Sequence, residues 1–252
     1  MIEVSTEYVQ KRLLEMGVNI TKILEKHNIP YMLAFGTLLG AVRHQGFIPW
    51  DDDFDLYLFD DTYDEAVEYL REELPENLFL EDAKSEPLYF HSWVHVKDLN
   101  SIAYSKAFPH DNVYAHKGLS VDLYRTKKMK ENDLADYLNQ ENRRYIMRRK
   151  EIGAIEENEY LDRLNRLIDD EKKTEIENSA GEAEIFSLVC TYKCKKMDVA
   201  NVFPLKKYVF EGIEFWGPNN AELILSSIYG NYMELPDIKD RKSHYSSVMI
   251  LK

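Results

Sequence analysis

Residues 53–59, which read DFDLYLF, are the segment that most restricts how this chain can fold. Polar and apolar residues alternate with the two-residue period of a β-strand. This pattern places Asp53, Asp55 and Tyr57 on one face and apolar side chains on the other. Aspartate is unfavourable in strands, and like charges on one strand face repel each other. The segment therefore predicts a strand with an apolar core face and an exposed face whose carboxylates need a neutralising partner.

The residues before this strand predict a site that attracts anions. YMLAF, residues 31–35, is typical of a buried strand between Pro30 and Gly36, and GTLLGAVRH, residues 36–44, has the composition of a short helix. The first backbone N–H groups of a helix have no partner within the helix, so a strand, a glycine turn and a helix in succession favour anion binding. We expect the turn formed by Gly36 and Thr37 to hold phosphates.

Divalent cations are the simplest partners for the aspartates. Two carboxylates two residues apart on one strand face can converge on a hard cation, and a third from a neighbouring strand completes the oxygen set. Asp122 lies in LSVDLY, a second predicted strand. Asp53, Asp55 and Asp122 are thus the predicted catalytic residues and ligands of Mg²⁺, or of Mn²⁺. Such a site leaves coordination positions for phosphate oxygens.

Two basic residues end the predicted helix and can neutralise charge that develops on a phosphate. Arg43 is the stronger of the two because its guanidinium matches phosphate with two parallel hydrogen bonds, and His44 follows it. An acidic run alone is ordinarily a solvated surface, and a Gly-Thr pair alone is an ordinary turn. A glycine turn, a short helix and alternating aspartates in this order are typical of nucleotidyltransferases, because one phosphate and metal site accounts for every part.

Charge and composition exclude several classes of partner. With 45 acidic and 32 basic residues, the net charge of −13 disfavours nucleic acids and anionic membranes as general partners. Residues 1–17 lack the basic and apolar regions of a signal peptide, and no apolar run approaches the ~18 residues of a membrane span. We therefore expect a cytoplasmic protein without a transmembrane segment. Cys190 and Cys194 are four apart rather than in a C-x-x-C motif, so we expect reduced packing cysteines.

The order of predicted elements indicates one domain with a mixed α/β (α+β) fold. Residues 1–126 are expected to form a nucleotidyltransferase-like core. It opens with an amphipathic helix at residues 5–28 and has a further helix at residues 62–74, after the short helix at residues 36–44. Residues 127–200 read as two or three helices, and residues 201–252 as a hairpin, a helix and an irregular tail that complete the site. Further strands are predicted at residues 77–82, 89–98, 101–106 and 119–124.

Three segments resemble the LicD family, bacterial phosphocholine transferases related to fukutin and the fukutin-related protein. FGTLLGAVRHQGFIPWDDDFDLYL, residues 35–58, resembles the defining segment of the family. HKGLSVDLY, residues 116–124, is similar to its Gly-apolar-apolar-apolar-Asp strand, and residues 203–244 are similar to its C-terminal segment. The resemblance implies an enzyme that takes a phospho-alcohol, typically phosphocholine, from its CDP derivative and transfers it to a sugar hydroxyl.

The resemblance also implies roles for individual residues. Asp53, Asp55 and Asp122 would bind metal, with Asp51 contacting the substrate or supporting these ligands. Trp50 would stack on a base, or pack as a Pro-Trp corner in the core. The diphosphate site would be lined by Gly36, Thr37, Arg43 and His44.

A loop in the C-terminal segment is expected to fold over the site and to include Tyr229 and His244. Tyr229 and Gly230 have a second explanation, the C-terminal cap of a helix. Lys97, at the end of a predicted strand, would contact the donor phosphate or extend into solvent. His91 and His95 share one face of the same strand, but because no third ligand is evident we do not assign them to a metal site.

The implied reaction is attack by a sugar hydroxyl on the β-phosphorus of a CDP-alcohol, with release of CMP. Asp122 or a metal would help to deprotonate the hydroxyl. The expected partners are a CDP-alcohol donor and a glycan or lipid-linked sugar acceptor, and a lipid-linked acceptor would bring the protein close to a membrane surface. A nucleotidyltransferase that moves the NMP itself would use the same aspartates. A non-catalytic member of a glycan-assembly complex would tolerate their loss.

Overall fold

A computed structural model describes residues 1–177, 184–188 and 196–251. Its helices are α1 (Thr6–Lys26), α2 (Phe35–His44), α3 (Asp60–Glu73), α4 (Leu134–Glu151), α5 (Glu157–Glu177), α6 (Val199–Val202) and α7 (Ala221–Tyr229). Its strands are β1 (Ile2–Glu3), β2 (Tyr31–Leu33), β3 (Asp55–Phe59), β4 (Leu78–Glu81), β5 (Val94–Asp98), β6 (Ser101–Ser105), β7 (Ser120–Lys130), β8 (Glu184–Leu188), β9 (Lys196–Asp198), β10 (Lys206–Phe210), β11 (Ile213–Gly217) and β12 (Tyr245–Ile250).

The largest sheet has the strand order β2-β3-β7-β5-β4, and β8 and β9 extend it from β7. β3 and β7 run parallel, whereas β2 on β3 and β5 on β7 are antiparallel. The parallel pair aligns Asp55 with Asp122. Neighbouring residues in register point to the same face of a sheet, so this pairing positions the candidate site. The mixed α/β fold predicted from the sequence is confirmed.

Both faces of β3 are buried, which makes the prediction of an exposed charged face wrong. On the apolar face, Phe54 is fully buried against α1, and a Cβ at Gly17 would lie 2.8 Å from its ring. On the opposite face, Tyr57 is 1% and Asp55 5% exposed. Phe35 of α2 covers this face with its ring 5.2 Å from that of Tyr57. The Asp55 carboxylate therefore lies inside the protein, whereas Asp53 and Asp122 are partly exposed.

Smaller sheets complete the molecule. β10 and β11 form the predicted hairpin, and β12 pairs with both β1 and β6. The tail predicted as irregular is therefore wrong from Tyr245 onward. Its strand forms through backbone hydrogen bonds to residues more than a hundred positions away, which a local pattern does not reveal.

The region from residue 127 to 200 contains the predicted helices as α4 and α5, but also strands. β7 continues to Lys130, and β8 and β9 were not predicted. α4 and α5 pack on the segment before β5. Tyr89 and Phe90 of this segment and Tyr145 of α4 belong to a second apolar core. Cys190 and Cys194 lie outside the described residues. No helix within the described ranges is long and apolar enough to cross a membrane.

Candidate active site

A cavity of about 1220 Å³ opens at the start of β3 and β7. Among the carboxylates that line it are Asp51, Asp53, Asp55 and Asp122, which lie together at this end of the two strands. The loop before β3, β3 itself and β7 supply these groups, so residues distant in sequence meet in one place. The three aspartates predicted to act together are therefore brought into one cavity.

The backbone around Asp55 is held by α2. The Asp55 amide donates to the Thr37 hydroxyl at 2.9 Å, and the Asp122 amide donates to the Phe54 carbonyl at 3.1 Å. Thr37 is 2% exposed. The Thr37 hydroxyl thus holds the start of β3 in place. A role for Thr37 in phosphate binding stays a prediction.

Asp122 is oriented by three donors. Ser120 donates its hydroxyl to Oδ1 at 3.1 Å, and the Trp93 indole N–H and the Tyr124 hydroxyl donate to Oδ2 at 3.1 and 3.3 Å. Ser120 and Tyr124 lie two residues on either side of Asp122, so the strand period places all three on one face. Trp93 comes from the turn before β5 and was not identified from the sequence. The alternation around Asp122 was the one signal that could have pointed to Ser120 and Tyr124.

Asp51, Asp53 and His244 form a tight cluster beside these strands, with one possible ligand atom from each residue inside a 4.8 Å span. His244 Nδ1 lies 3.3 Å from Asp53 Oδ2. Asp53 Oδ1 is buried and has no hydrogen-bond partner among the residues that the structure describes. An acidic oxygen in this condition is costly unless a cation or a donor reaches it.

Burial raises the pKa values of Asp51, Asp53, Asp55 and Asp122. Burial, together with the Asp53 charge, raises the pKa of Asp51 to about 8. Burial, followed by the charges of Asp53 and Asp122, raises the pKa of Asp55 well above its ordinary value. Hydrogen bonding to Asp52 raises the pKa of His244 to about 9, so its imidazolium partly offsets the acidic cluster.

The donor set fits a divalent cation of the magnesium type. The carboxylates supply only oxygen on the strand side, which hard cations prefer. Asp53 Oδ1 is available, and burial, together with neighbouring carboxylates, raises the pKa values of Asp53 and Asp55, so a bound cation would favour their ionised forms. Asp53, Asp55 and Asp122 thus remain suitable ligands, with Asp51 as an additional one.

The first turn of α2 borders the acidic cluster. A Cβ at Gly36 would lie 2.7 Å from Asp51 Oδ2, so only glycine lets the helix start approach the carboxylate this closely. Phe35 at the preceding position has a φ of 39°, in the left-handed region that side chains rarely adopt. Strain of this kind costs of order 1–3 kcal/mol and is concentrated at functional sites. The helix start is therefore held against the site by packing.

Residues 230–244, which we call the strap, cross the mouth of the cavity. Arg43 donates to the carbonyl oxygens of Tyr232 at 2.5 Å and Glu234 at 3.4 Å. At the end of the strap, Asp52 accepts hydrogen bonds from the His244 amide at 2.7 Å and from its Nδ1 at 3.0 Å. Residues of the expected C-terminal loop line the cavity together with His244, whereas Tyr229 is the last residue of α7 and not part of the loop. Asp52, to which the sequence assigned no role, anchors the strap.

The remaining predicted site residues differ in their access to the cavity. Arg43, Trp50, Lys97 and Tyr229 line it, whereas His44 does not. The Arg241 guanidinium of the strap lies over the Trp50 ring, 4.4 Å from its centroid. Lys97 is buried, with Nζ 3.8 Å from Glu81 Oε2, so its alternative as a solvated strand end is wrong. Gly230 is the C-cap of α7.

The comparison with protein families matches residues 28–152 to the LicD/FKTN/FKRP nucleotidyltransferase domain. The chain belongs to the LicD family. The matched range includes α2, β7 and the carboxylates Asp51, Asp53, Asp55 and Asp122, so family membership rests on the segment that forms this part of the site. The strap and His244 lie beyond this range.

Curated proteins match parts of this chain. The chain is 45% identical over 62 residues to the lipopolysaccharide cholinephosphotransferase LicD of Haemophilus influenzae, covering 25% of this chain and 23% of that protein. It is 31% identical over 129 residues to an uncharacterized protein of Rickettsia prowazekii, covering 50% of this chain and 48% of that protein. A protein of Rickettsia typhi is 63% identical over 44 residues, 18% and 14% of the two chains. Each alignment thus spans less than half of the relative.

Proposed function

We propose that this LicD-family protein transfers phosphocholine from CDP-choline to a sugar hydroxyl of a cell-surface glycan or its precursor and releases CMP. The observation that carries the proposal is the pairing of Asp55 with Asp122 on parallel strands, beside Asp53 in one cavity. The similarity to a lipopolysaccharide cholinephosphotransferase supports the choice of transferred group and of acceptor class.

Asp122 is the proposed base for the acceptor hydroxyl. Its carboxylate lines the cavity and is oriented by the donors from Ser120, Trp93 and Tyr124, so one oxygen lone pair can face a bound hydroxyl. A pKa raised by burial brings the proton affinity of Asp122 closer to neutral pH. The acceptor oxygen forms a bond to the β-phosphorus, the bond from that phosphorus to the bridging oxygen breaks, and the hydroxyl proton moves to Asp122.

Asp53 and Asp55, with Asp51 beside them, would hold Mg²⁺. When bound, the ion supplies Lewis-acid stabilisation of negative charge on the phosphoryl oxygens. The chain's own residues position the diphosphate: the start of α2 presents unpaired N–H groups, and Lys97 lines the same cavity. The strap, held by Arg43 and Asp52, limits the access of water to this region.

The test is CMP release from CDP-choline with a sugar acceptor and Mg²⁺, followed by mass analysis of the acceptor. We expect the acceptor to gain a phosphocholine group in the wild type, and Asp122→Asn to reduce turnover by roughly 10²–10⁴-fold, the usual contribution of a general base. Asp61→Asn is the matched control, because it makes the same chemical change at an exposed position on α3.

Other outcomes separate the alternatives. Transfer of an NMP from CTP to a small molecule, without use of CDP-choline, would replace the proposal with a nucleotidyltransferase. Binding of neither nucleotide would indicate a non-catalytic role. A thermal-shift comparison of CDP-choline, CDP-ethanolamine, CDP-glycerol and CDP-ribitol identifies the donor, because a ligand of the native state stabilises according to its concentration relative to its dissociation constant.

A further inference from the structure

A second cluster of ligand-type side chains lies in the wall of the cavity. One possible ligand atom from each of His91, His95 and Asp111 falls inside a 4.8 Å span, and all three residues are buried. They come from the turn before β5, from β5, and from a 3₁₀ turn at Pro109–Val113. His91 is not on the strand as predicted, because β5 begins only at Val94. Three separate segments thus converge on one buried point.

The distances in this cluster are close to those of a coordination sphere. His91 Nε2 lies 2.9 and 3.0 Å from the two carboxylate oxygens of Asp111. Two ligands on a tetrahedral ion with bonds of ~2.0–2.1 Å are roughly 3.4 Å apart. A shift of a few tenths of an ångström in this contact therefore suffices to admit an ion. His91 Nδ1 is also buried and lacks a hydrogen-bond partner within the described ranges.

His95 already has the protonation state and support of a metal ligand. The Trp93 indole N–H donates to His95 Nε2 at 3.1 Å, so Nε2 carries a lone pair and Nδ1 carries the proton. Nδ1 then donates to Glu81 Oε2 at 3.2 Å. A carboxylate that accepts from the second ring nitrogen is the usual support of a metal-binding histidine.

Release of His95 Nε2 for coordination has little cost. Trp93 shares its single N–H between His95 and Asp122 Oδ2, the latter also at 3.1 Å. If the ion takes the lone pair of His95, the indole N–H remains satisfied by Asp122. If His95 were the sole acceptor of the Trp93 indole N–H, metal binding would leave this buried donor without a partner, which costs ~1–3 kcal/mol.

We propose that His91, His95 and Asp111 bind one transition-metal ion of the zinc type, with Glu81 as the residue that orients His95. Two imidazoles and a carboxylate favour zinc over magnesium, whereas the aspartates on the strands favour magnesium. The ion joins the 3₁₀ turn at Pro109–Val113 to β5. It thereby stabilises the cavity wall next to Asp122, whose Oδ1 lies 3.7 Å from His95 Nε2.

The test uses Co²⁺ as a spectroscopic substitute for zinc in the full chain, without an affinity tag and after removal of metals. The protein carries Cys190→Ser and Cys194→Ser, so that thiolates do not contribute to the spectrum. We expect visible ligand-field bands that saturate at one equivalent of Co²⁺ and disappear when one equivalent of Zn²⁺ is added. Glu81→Gln should weaken binding by roughly 10–100-fold, the usual effect of changing a supporting residue.

Matched variants locate the ion. His91→Gln and Asp111→Asn keep similar volume and should each abolish saturation at one equivalent, with circular dichroism to verify the fold. His116→Gln changes a histidine outside the cluster, whose ring lies 4.2 Å from that of Phe79. Asp53→Asn changes the carboxylate cluster. Both variants should keep the bands. Absence of bands in the wild type at several equivalents overturns the proposal. It is also overturned if folded Asp111→Asn binds like the wild type, or if only Asp53→Asn loses binding.

Discussion

Two clusters of ionisable side chains share the cavity but differ in how the protein compensates them. The imidazole cluster consists of His91, His95 and Asp111. In it, His91 pairs with Asp111, and His95 pairs with Glu81. The carboxylate cluster is the acidic cluster formed by Asp51, Asp53 and Asp55. These three side chains repel each other, and Asp53 Oδ1 has no partner among the described residues. A group that is paired within the protein contributes mainly to stability. Excess charge that remains after folding is available to a ligand, so the carboxylate cluster is the better indicator of function.

The largest expected effect separates the two clusters by activity. Asp53→Asn should reduce turnover at least ~100-fold, comparable to the loss of one preorganised electrostatic contact in an active site. The same change should alter the stability of the metal-free protein little, because the loss of like-charge repulsion offsets the loss of the contact with His244. Turnover at saturating donor and chemical denaturation measure the two effects. Asp61→Asn on the surface of α3 is the control, and near-full activity of Asp53→Asn would exclude a metal-binding role.

The next effect separates the clusters by stability. Asp111→Ala should lower the free energy of unfolding by about 1–3 kcal/mol, because it leaves the buried ring nitrogen of His91 without its hydrogen-bond partner. Asp53→Ala should cause little loss. Urea denaturation of both variants gives the comparison. Equal losses would show that the contrast between the two clusters is wrong.

A third effect depends on pH and on magnesium. The pKa of Asp51 is about 8 in the folded protein, against about 3.9 for an ordinary aspartate. The folded state therefore holds more protons between these values, and the contribution of Asp51 to metal-free stability is full below about pH 4 and is lost as the pH rises to about 8. Mg²⁺ binds the ionised form, so it should raise the melting temperature more at pH 8 than at pH 6. Equal shifts at both values would contradict this prediction.

The smallest effect concerns the strap, which lies beside the carboxylate cluster. Arg43→Lys removes the hydrogen bonds that Arg43 Nη1 donates to the Tyr232 and Glu234 carbonyls, at a cost of about 1 kcal/mol. We expect the KM for the CDP-alcohol to rise roughly fivefold, which corresponds to that free energy. Steady-state kinetics measures the change. Arg166→Lys on α5 is the matched control, and an unchanged KM in Arg43→Lys would show that the strap does not contribute to donor binding.

The site divides into parts that the sequence predicts and parts that it does not. The alternation at Asp53 and Asp55 and the composition around Gly36 identified β3 and α2, because both signals are local. Asp53, Asp55 and Asp122 were predicted to meet because each stands out against an apolar strand, and they line one cavity, while their roles stay predictions. Asp52, Trp93 and Asp111 were missed because their partners are 20 to 192 residues away. His91 and His95 were seen but not assigned, since their third neighbour lies in another turn.

By itself, the sequence determined the mixed fold, the strand that carries the acids, the helix start that faces them and the resemblance to the LicD family. These features depend on residue periodicity and on close neighbours along the chain. Only the tertiary structure decided that Asp55 and Asp122 lie in register, that the strap closes over them and that Asp111 meets the two histidines. Pairing between distant segments depends on the packing of the whole core, and a local pattern of side chains does not encode which remote residue becomes the neighbour.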